Sequence, residues 1–243
     1  MHDAHCHIDL YGSYQEVLAS IANAKLRTIA VTNTPSVFNA MENLVVDNPW
    51  VYPAIGLHPE LVPERAHELP LLLERLLRVR LVGEIGLDFA TRGADRNGQA
   101  RVLEQILSAC ARDRGHVLSL HSRNAAADVV RLVGPNFPGV PILHWFSGSL
   151  KVLEQALVFG FYFSVNPAMT RSDRGRAILA ALPRERVLTE SDGPFVDMQG
   201  VPARPADVKI VVSYLANQWK ISADDAEVIL DTNFDTVLPD LPG

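Results

Sequence analysis

The chain has 243 residues, of which 48% are apolar and 21% charged, with a formal net charge of −6. That is the composition of a globular protein able to bury a sizeable core without disulfides, and it excludes intrinsic disorder and fibrous repeats. The acidic balance argues against coating duplex nucleic acid through a broad basic surface. A nuclease stays open, because a metal-bearing cleft attracts phosphate locally. Cys6 and Cys110 lie far apart in apolar segments and read as core thiols of a reducing compartment. The start has no apolar signal core, and no run approaches ~18 apolar residues. The expectation is therefore a cytoplasmic chain with no membrane partner.

In chain order, eight short apolar segments read as strands: residues 2–7, 28–32, 51–55, 81–85, 117–120, 142–144, 161–165 and 187–189. They are rich in Val, Ile, Leu and Phe throughout, as parallel strands buried on both faces are. Helix-period segments fall between and after them, at 14–24, 69–77, 99–114, 125–133, 150–159, 174–182, 205–219 and 223–230. In the third of these, Val102, Leu103, Ile106, Leu107 and Cys110 share one stripe, and Gly115 follows as a stop. Strands each followed by a helix or a helix-sized connection predict a TIM-like (β/α)8 barrel, an α/β fold, in a single domain over 1–243. An open doubly wound sheet is the alternative, but no Gly-rich phosphate loop follows any strand.

The reactive side chains gather at the predicted strand ends. His5 and His7 close the first strand, His58 follows the third, and Glu84 ends the fourth. His121 ends the fifth, His144 the sixth, Asn166 follows the seventh, and Glu190 and Asp192 follow the eighth. In α/β barrels the C-terminal strand ends form the active-site face. A lone buried histidine is more often a satisfied core group. His5 and His7, however, leave one face of a strand together, and Asp3 shares their parity. Imidazoles and carboxylates without thiolates suit zinc, manganese or similar divalent ions. Glu84, between the two groups of histidines, is the natural carboxylate to bridge a pair of ions.

Other side chains carry weaker signals. Arg123 could meet a substrate phosphate or form a rim salt bridge. Trp145 could stack on a base or pack in the core. The basic segment 170–176 reads as a solvated helix start, and Ser147 reads as a helix cap rather than a nucleophile. His2, His67 and His116 receive no role.

The motifs Asp3-Ala4-His5-Cys6-His7-Ile8-Asp9, Gly56-Leu57-His58-Pro59, Gly83-Glu84-Ile85-Gly86-Leu87-Asp88, His121-Ser122-Arg123, His144-Trp145-Phe146-Ser147-Gly148-Ser149 and Thr189-Glu190-Ser191-Asp192-Gly193-Pro194-Phe195 resemble, in order, those of the TatD family of metal-dependent DNases. The resemblance implies a barrel of the amidohydrolase superfamily with a two-metal phosphoesterase site. By position, His5, His7 and Asp192 would hold one ion and His121 and His144 the other, with Glu84 shared and His58 facing the substrate phosphate. The metals would be Zn2+, Mg2+ or Mn2+. Residues 56–73, 144–150 and 163–169 resemble more particularly the QatD subgroup. That likeness implies anti-phage defence beside an ATPase and a QueC-like protein. Where family members carry an Arg-Asn-x-Pro segment, this chain reads Val201-Pro202-Ala203-Arg204-Pro205, leaving Arg204 as the basic, substrate-binding residue.

The function expected is hydrolysis of DNA, as single strands or ends. Asp192 would accept the proton of the attacking water, and Glu190 would support the site from its edge. Two other functions fit the same motifs: a small-molecule hydrolase of the superfamily, or a metal-bearing non-catalytic subunit of a defence complex.

Overall fold

The computed structural model describes residues 1–112 and 115–238. Its strands are β1 (His2–Cys6), β2 (Arg27–Val31), β3 (Val51–Ala54), β4 (Leu81–Gly86), β5 (Val117–His121), β6 (Val140–His144), β7 (Tyr162–Val165) and β8 (Val187–Thr189). Its α-helices are α1 (Tyr14–Ala24), α2 (Phe38–Val45), α3 (Val62–Arg65), α4 (Leu69–Arg75), α5 (Arg96–Arg112), α6 (Ala126–Val133), α7 (Leu150–Val158), α8 (Pro167–Arg171), α9 (Asp173–Ala181), α10 (Val208–Trp219) and α11 (Ala223–Val237). All eight expected strands are present, offset by at most two residues at an end. The proposed end of the third long helix at Arg114 lies outside the described residues. Two helices run differently from expectation: α10 is preceded by a separate 3-10 turn at Pro205–Asp207, and α11 continues seven residues beyond 230. Among the described residues no helix is long and apolar enough to cross a membrane.

The sequence reading missed α2, α3 and α8. In α2 only Phe38, Met41 and Val45 are buried apolar residues, a stripe too short to stand out among its polar neighbours. The helices α3 and α8 are a turn or so long and carry proline in the first turn, Pro63 second in α3 and Pro167 first in α8, where its missing N–H is not needed. The cap of α7 is a correction: Ser149, not Ser147, accepts the backbone N–H of Val152.

The described residues fall into two compact units. One comprises Met1–Ala30, Val45–Tyr52 and the chain from Phe163 onward; the other comprises Val31–Leu44 and Pro53–Tyr162. In the first, β1 pairs in parallel with β2 (His2 opposite Arg27, Asp3 opposite Thr28), and β7 pairs in parallel with β8. Leu230, Phe234 and Val237 of α11 and Val211 and Leu215 of α10 supply buried helical faces. In the second, β4, β5 and β6 lie side by side in that order, all parallel. The predicted stripe of α5, Val102, Leu103, Ile106, Leu107 and Cys110, is buried. Both cysteines are buried thiols.

His2 is a satisfied core histidine. The Thr189 N–H donates to its Nε2 at 3.0 Å, which leaves Nδ1 to donate to Asp231 at 2.9 Å. The ring stacks on Phe234 at 4.4 Å. Burial alone would raise the Asp231 carboxyl, but hydrogen bonds from His2 and the terminal amino group outweigh it and hold it below the ordinary carboxylate range. A carboxylate depressed in the folded state stabilises fully above its unfolded value and loses that contribution as pH falls through the folded one. Asp231→Asn is therefore expected to cost about 2 kcal/mol at pH 7. The gap to the parent should narrow steadily below ~pH 4. Urea melts of both proteins at several pH values check this; a gap independent of pH refutes it.

Candidate metal centre

In the second unit the parallel register brings three ligand candidates together. Gly86 lies opposite His121, and Leu120 lies opposite Leu143, so His121 and His144 hold matching positions at adjacent strand ends. Oε1 of Glu84 is 2.6 Å from His121 Nδ1, 2.8 Å from His144 Nε2 and 3.4 Å from His58 Nε2. His144 Nε2 and His121 Nδ1 are 3.3 Å apart. Burial alone would raise the Glu84 carboxyl, but the imidazoles of His58, His144 and His121 hold it well below its usual range. For His121, burial pulls down while Asp88 and Glu84 push harder, taking the imidazole up to about 9.

Two glycines permit this approach. A Cβ on Gly56 would lie 2.0 Å from the Thr32 carbonyl oxygen and 2.3 Å from the Glu84 nitrogen. Gly86 has φ +141°, and a Cβ there would lie 2.1 Å from the His121 carbonyl oxygen. Only glycine lets the backbone pass so close at both points. His58 enters on the loop after β3, its N–H bound to the Asn33 carbonyl at 2.9 Å. The Glu60 N–H donates to His58 Nδ1 at 3.2 Å. In the neutral ring the proton then sits on Nε2, which makes that nitrogen a donor rather than a metal ligand.

In the first unit, His5 Nε2 and His7 Nε2 face each other at 3.2 Å. Oδ1 of Asp192 lies 3.6 Å from the first and 3.7 Å from the second. His5 lies in β1 and His7 is the first residue past it, yet the two rings still come together. The backbone then ties the segment after β8 to them: the Asp192 N–H donates to the His5 carbonyl at 3.0 Å and the His7 N–H to that of Gly193 at 2.9 Å. Asp192 itself has φ +46°, a left-handed conformation that aspartate tolerates better than most residues. Asp3, buried beneath, accepts from the Ser191 N–H at 2.9 Å, the Ser191 hydroxyl at 2.5 Å and the His5 N–H at 3.2 Å. Burial pushes its carboxyl up to about 7 against those hydrogen bonds.

Each unit thus holds a tight set of nitrogen and carboxylate donors, buried and without thiolates. Two imidazole nitrogens 3.2 Å apart with a carboxylate oxygen beside both, and one carboxylate oxygen ringed by imidazoles, are arrangements that a divalent cation satisfies. The residues present fit the implied ions.

The remaining expected residues have distinct surroundings. Glu190 is buried, with Ser164 Oγ donating to one carboxylate oxygen and Asn166 Nδ2 to the other at 3.0 Å. Arg123 is half exposed, its Nε 3.0 Å from Asp88 Oδ2. Trp145, at the accessible edge beside His144, has φ +36°, unusual for a bulky side chain. Arg204 is exposed; it begins the 3-10 turn before α10, and its Nη2 lies 3.4 Å from Glu16. The residue that sequence reasoning missed is Asp88, which contacts His121 Nε2 at 2.7 Å. Its signal was its place in the same glycine-spaced motif as Glu84, but it lies two residues past the strand end, where periodicity no longer says what a side chain faces.

The comparisons with known proteins agree with this chemistry. A family model described as TatD related DNase matches residues 2–239. The solved structure of YjjV, a TatD homolog from Escherichia coli, superposes with a TM-score of 0.87 at 28% identity, covering 98% of this chain and 97% of that one. The 3'-5' ssDNA/RNA exonuclease TatD of Edwardsiella piscicida is 30% identical over 85% of this chain and 84% of its own length. The human deoxyribonuclease TATDN3 is 26% identical over 98% of this chain and 94% of its own length. The fold class is the TIM-like α/β hydrolase class expected from the alternation of strands and helices. With a match across nearly its whole length, the chain belongs to the TatD-related DNase family of hydrolases.

Proposed function

We propose that residues 1–243 act as a single metal-dependent phosphodiesterase domain on DNA, on single strands or ends, with two divalent ions (Zn2+, Mg2+ or Mn2+). The observation that carries this reading is the ring of His121, His144 and His58 around one oxygen of Glu84. His5, His7 and Asp192 would hold one ion and His121 and His144 the other, with Glu84 shared, as the family resemblance implies. Bound divalent ions supply an acidified water and offset charge on the phosphoryl oxygens. Asp192 would orient the attacking water and accept its proton. His58 donates from Nε2 to a phosphate oxygen, and Arg123 and Arg204 contribute charge-assisted hydrogen bonds to the substrate backbone. Trp145 offers an aromatic face to an unpaired base. Glu190 braces the edge of the site through Ser164 and Asn166. The substrates printed in the names of the E. piscicida and human relatives support nucleic acid over a small molecule.

Chelation is the direct test. Exhaustive removal of metal is expected to abolish cleavage of a single-stranded oligonucleotide, and Mg2+, Mn2+ or Zn2+ to restore it to different extents. Activity that survives chelation overturns the metal mechanism. Ester and lactone substrates assayed in parallel identify a small-molecule hydrolase if they alone are turned over.

The likeness of residues 56–73, 144–150 and 163–169 to QatD supports a place in the Qat anti-phage system, in the cytoplasm, beside its ATPase and QueC-like protein. Co-expression with those two components and co-purification tests the partnership. Metal-loaded protein that is inert on every nucleic acid yet co-purifies with them would mark a non-catalytic subunit.

A further inference from the structure

Asp88 lies between a metal-ligand candidate and an exposed cation. Its side chain is fully buried, with Oδ2 2.7 Å from His121 Nε2 and 3.0 Å from Arg123 Nε. Its other oxygen accepts the Ala90 N–H at 2.8 Å, and its own N–H donates to the buried Gln99 Oε1 at 2.8 Å. The loop after β4 is laced to the end of β5 and the residues beyond it: Leu87 N–H donates to the His121 carbonyl and Phe89 N–H to the Arg123 carbonyl, both at 3.0 Å. One backbone N–H thus holds the carboxylate, and three hydrogen bonds from the backbone of residues 87–89 hold the loop that carries it.

Two consequences follow from hydrogen-bond chemistry. A carboxylate stands at each ring nitrogen of His121, Asp88 at Nε2 and Glu84 at Nδ1; an ion taken up on the Glu84 side would displace the Nδ1 proton, and Asp88 would keep the other proton on Nε2, leaving the Nδ1 lone pair for that ion. At Arg123, Asp88 engages Nε and Glu60 approaches Nη2 at 3.5 Å, while 53% of the side chain remains exposed. The guanidinium has five N–H donors, so several remain for a phosphate. A bare surface arginine would surrender side-chain entropy on binding, whereas one held by a buried carboxylate has already surrendered it.

We propose that Asp88 is a positioning residue with a double role: it sets His121 with Nδ1 toward the metal site and holds Arg123 in place to receive a backbone phosphate of the substrate strand. This rests on the phosphodiesterase reading above. The alternative is a loop brace, which would matter only for stability.

The test separates these with two readouts and a mutant cycle. Metal affinity is measured by calorimetric titration of Mn2+. Strand affinity is measured by fluorescence anisotropy with a single-stranded phosphorothioate oligonucleotide, and melting curves are recorded alongside. Asp88→Asn keeps an acceptor for His121 but loses the charge that holds Arg123. It is expected to bind Mn2+ normally and the oligonucleotide about tenfold more weakly, as is Arg123→Ala. The double variant should bind no more weakly than Arg123→Ala alone, because both changes remove the same contact. Asp88→Ala removes both supports and should also lose on the order of tenfold or more in Mn2+ affinity. If Asp88→Ala does not fold, the Asp88→Asn and Arg123→Ala cycle decides the matter.

Full additivity in that cycle, an Arg123→Ala protein with parental strand affinity, or a folded Asp88→Ala protein with parental Mn2+ affinity overturns the proposal. A parent protein that binds Mn2+ and strand but hydrolyses no nucleic acid would instead sink the phosphodiesterase reading, while both affinities still report on Asp88.

Discussion

Replacing Glu84 by alanine is expected to remove bound metal and lower DNA cleavage on the order of a thousandfold or more, with the fold intact. One oxygen of this buried carboxylate is the nearest anion to His121 and His144 and also faces His58. Without it the imidazoles are left to confront a cation with no compensating charge. If Glu84 serves both ions, as proposed, its loss also exposes them to each other, so metal content should fall by more than a single equivalent. Each lost ~1.4 kcal/mol of transition-state stabilisation costs tenfold in rate, so losing both ions exceeds the effect of any single neutral ligand. His144→Ala, which removes one neutral ligand, should be milder. The fold should persist because Glu84 belongs to the catalytic face of the strand ends and not to the packed apolar layers. Elemental analysis, cleavage rates and a melting curve check this together. A Glu84→Ala protein with full metal content and near-parental cleavage would refute the role.

Asp192→Asn should produce a loss of comparable size by a different route. The amide occupies the same volume beside His5 and His7 and preserves the backbone hydrogen bond to the His5 carbonyl. It has no negative charge and cannot take a proton from water. General-base catalysis by one positioned group contributes roughly 100- to 10,000-fold, and kcat should fall within that range. KM for a single-stranded oligonucleotide should change little, because Asp192 is not assigned to substrate binding. Metal content should fall by no more than the one ion that Asp192 helps to hold, which distinguishes this variant from Glu84→Ala. A variant with raised KM and unchanged kcat would place Asp192 in substrate binding instead.

Much of this site was legible from the chain alone, because strands and strand ends carry local signals. Short stretches rich in Val, Ile and Leu mark β4, β5 and β6 as buried on both faces; His121 and His144 end two of them, and Glu84 interrupts the third two residues before its end. Thus His121, His144 and Glu84 stood out as candidates without coordinates, and the structure brings them together. The i, i+2 spacing of His5 and His7 likewise pointed to two rings side by side, as they are, although His7 falls just past β1. The stripe on α5 was readable because helical periodicity over seventeen residues is unambiguous.

What the tertiary structure decided are contacts between residues that no local period relates. Asp88 reaches His121 across 33 residues of sequence because β4 and β5 are adjacent and in register, and its own position past the strand end has no pattern to read. The tautomer of His58 depends on a backbone N–H two residues on, in a turn whose course composition does not fix. Glu190 and Asp192, two residues apart, read alike in sequence. The fold gives one to Ser164 and Asn166 and turns the other, through a left-handed backbone, toward His5 and His7. Residue type supplied the candidate ligands; strand register and loop conformation determined which of them meet one another, because hydrogen-bond partners are assigned by distance in space and not by separation along the chain.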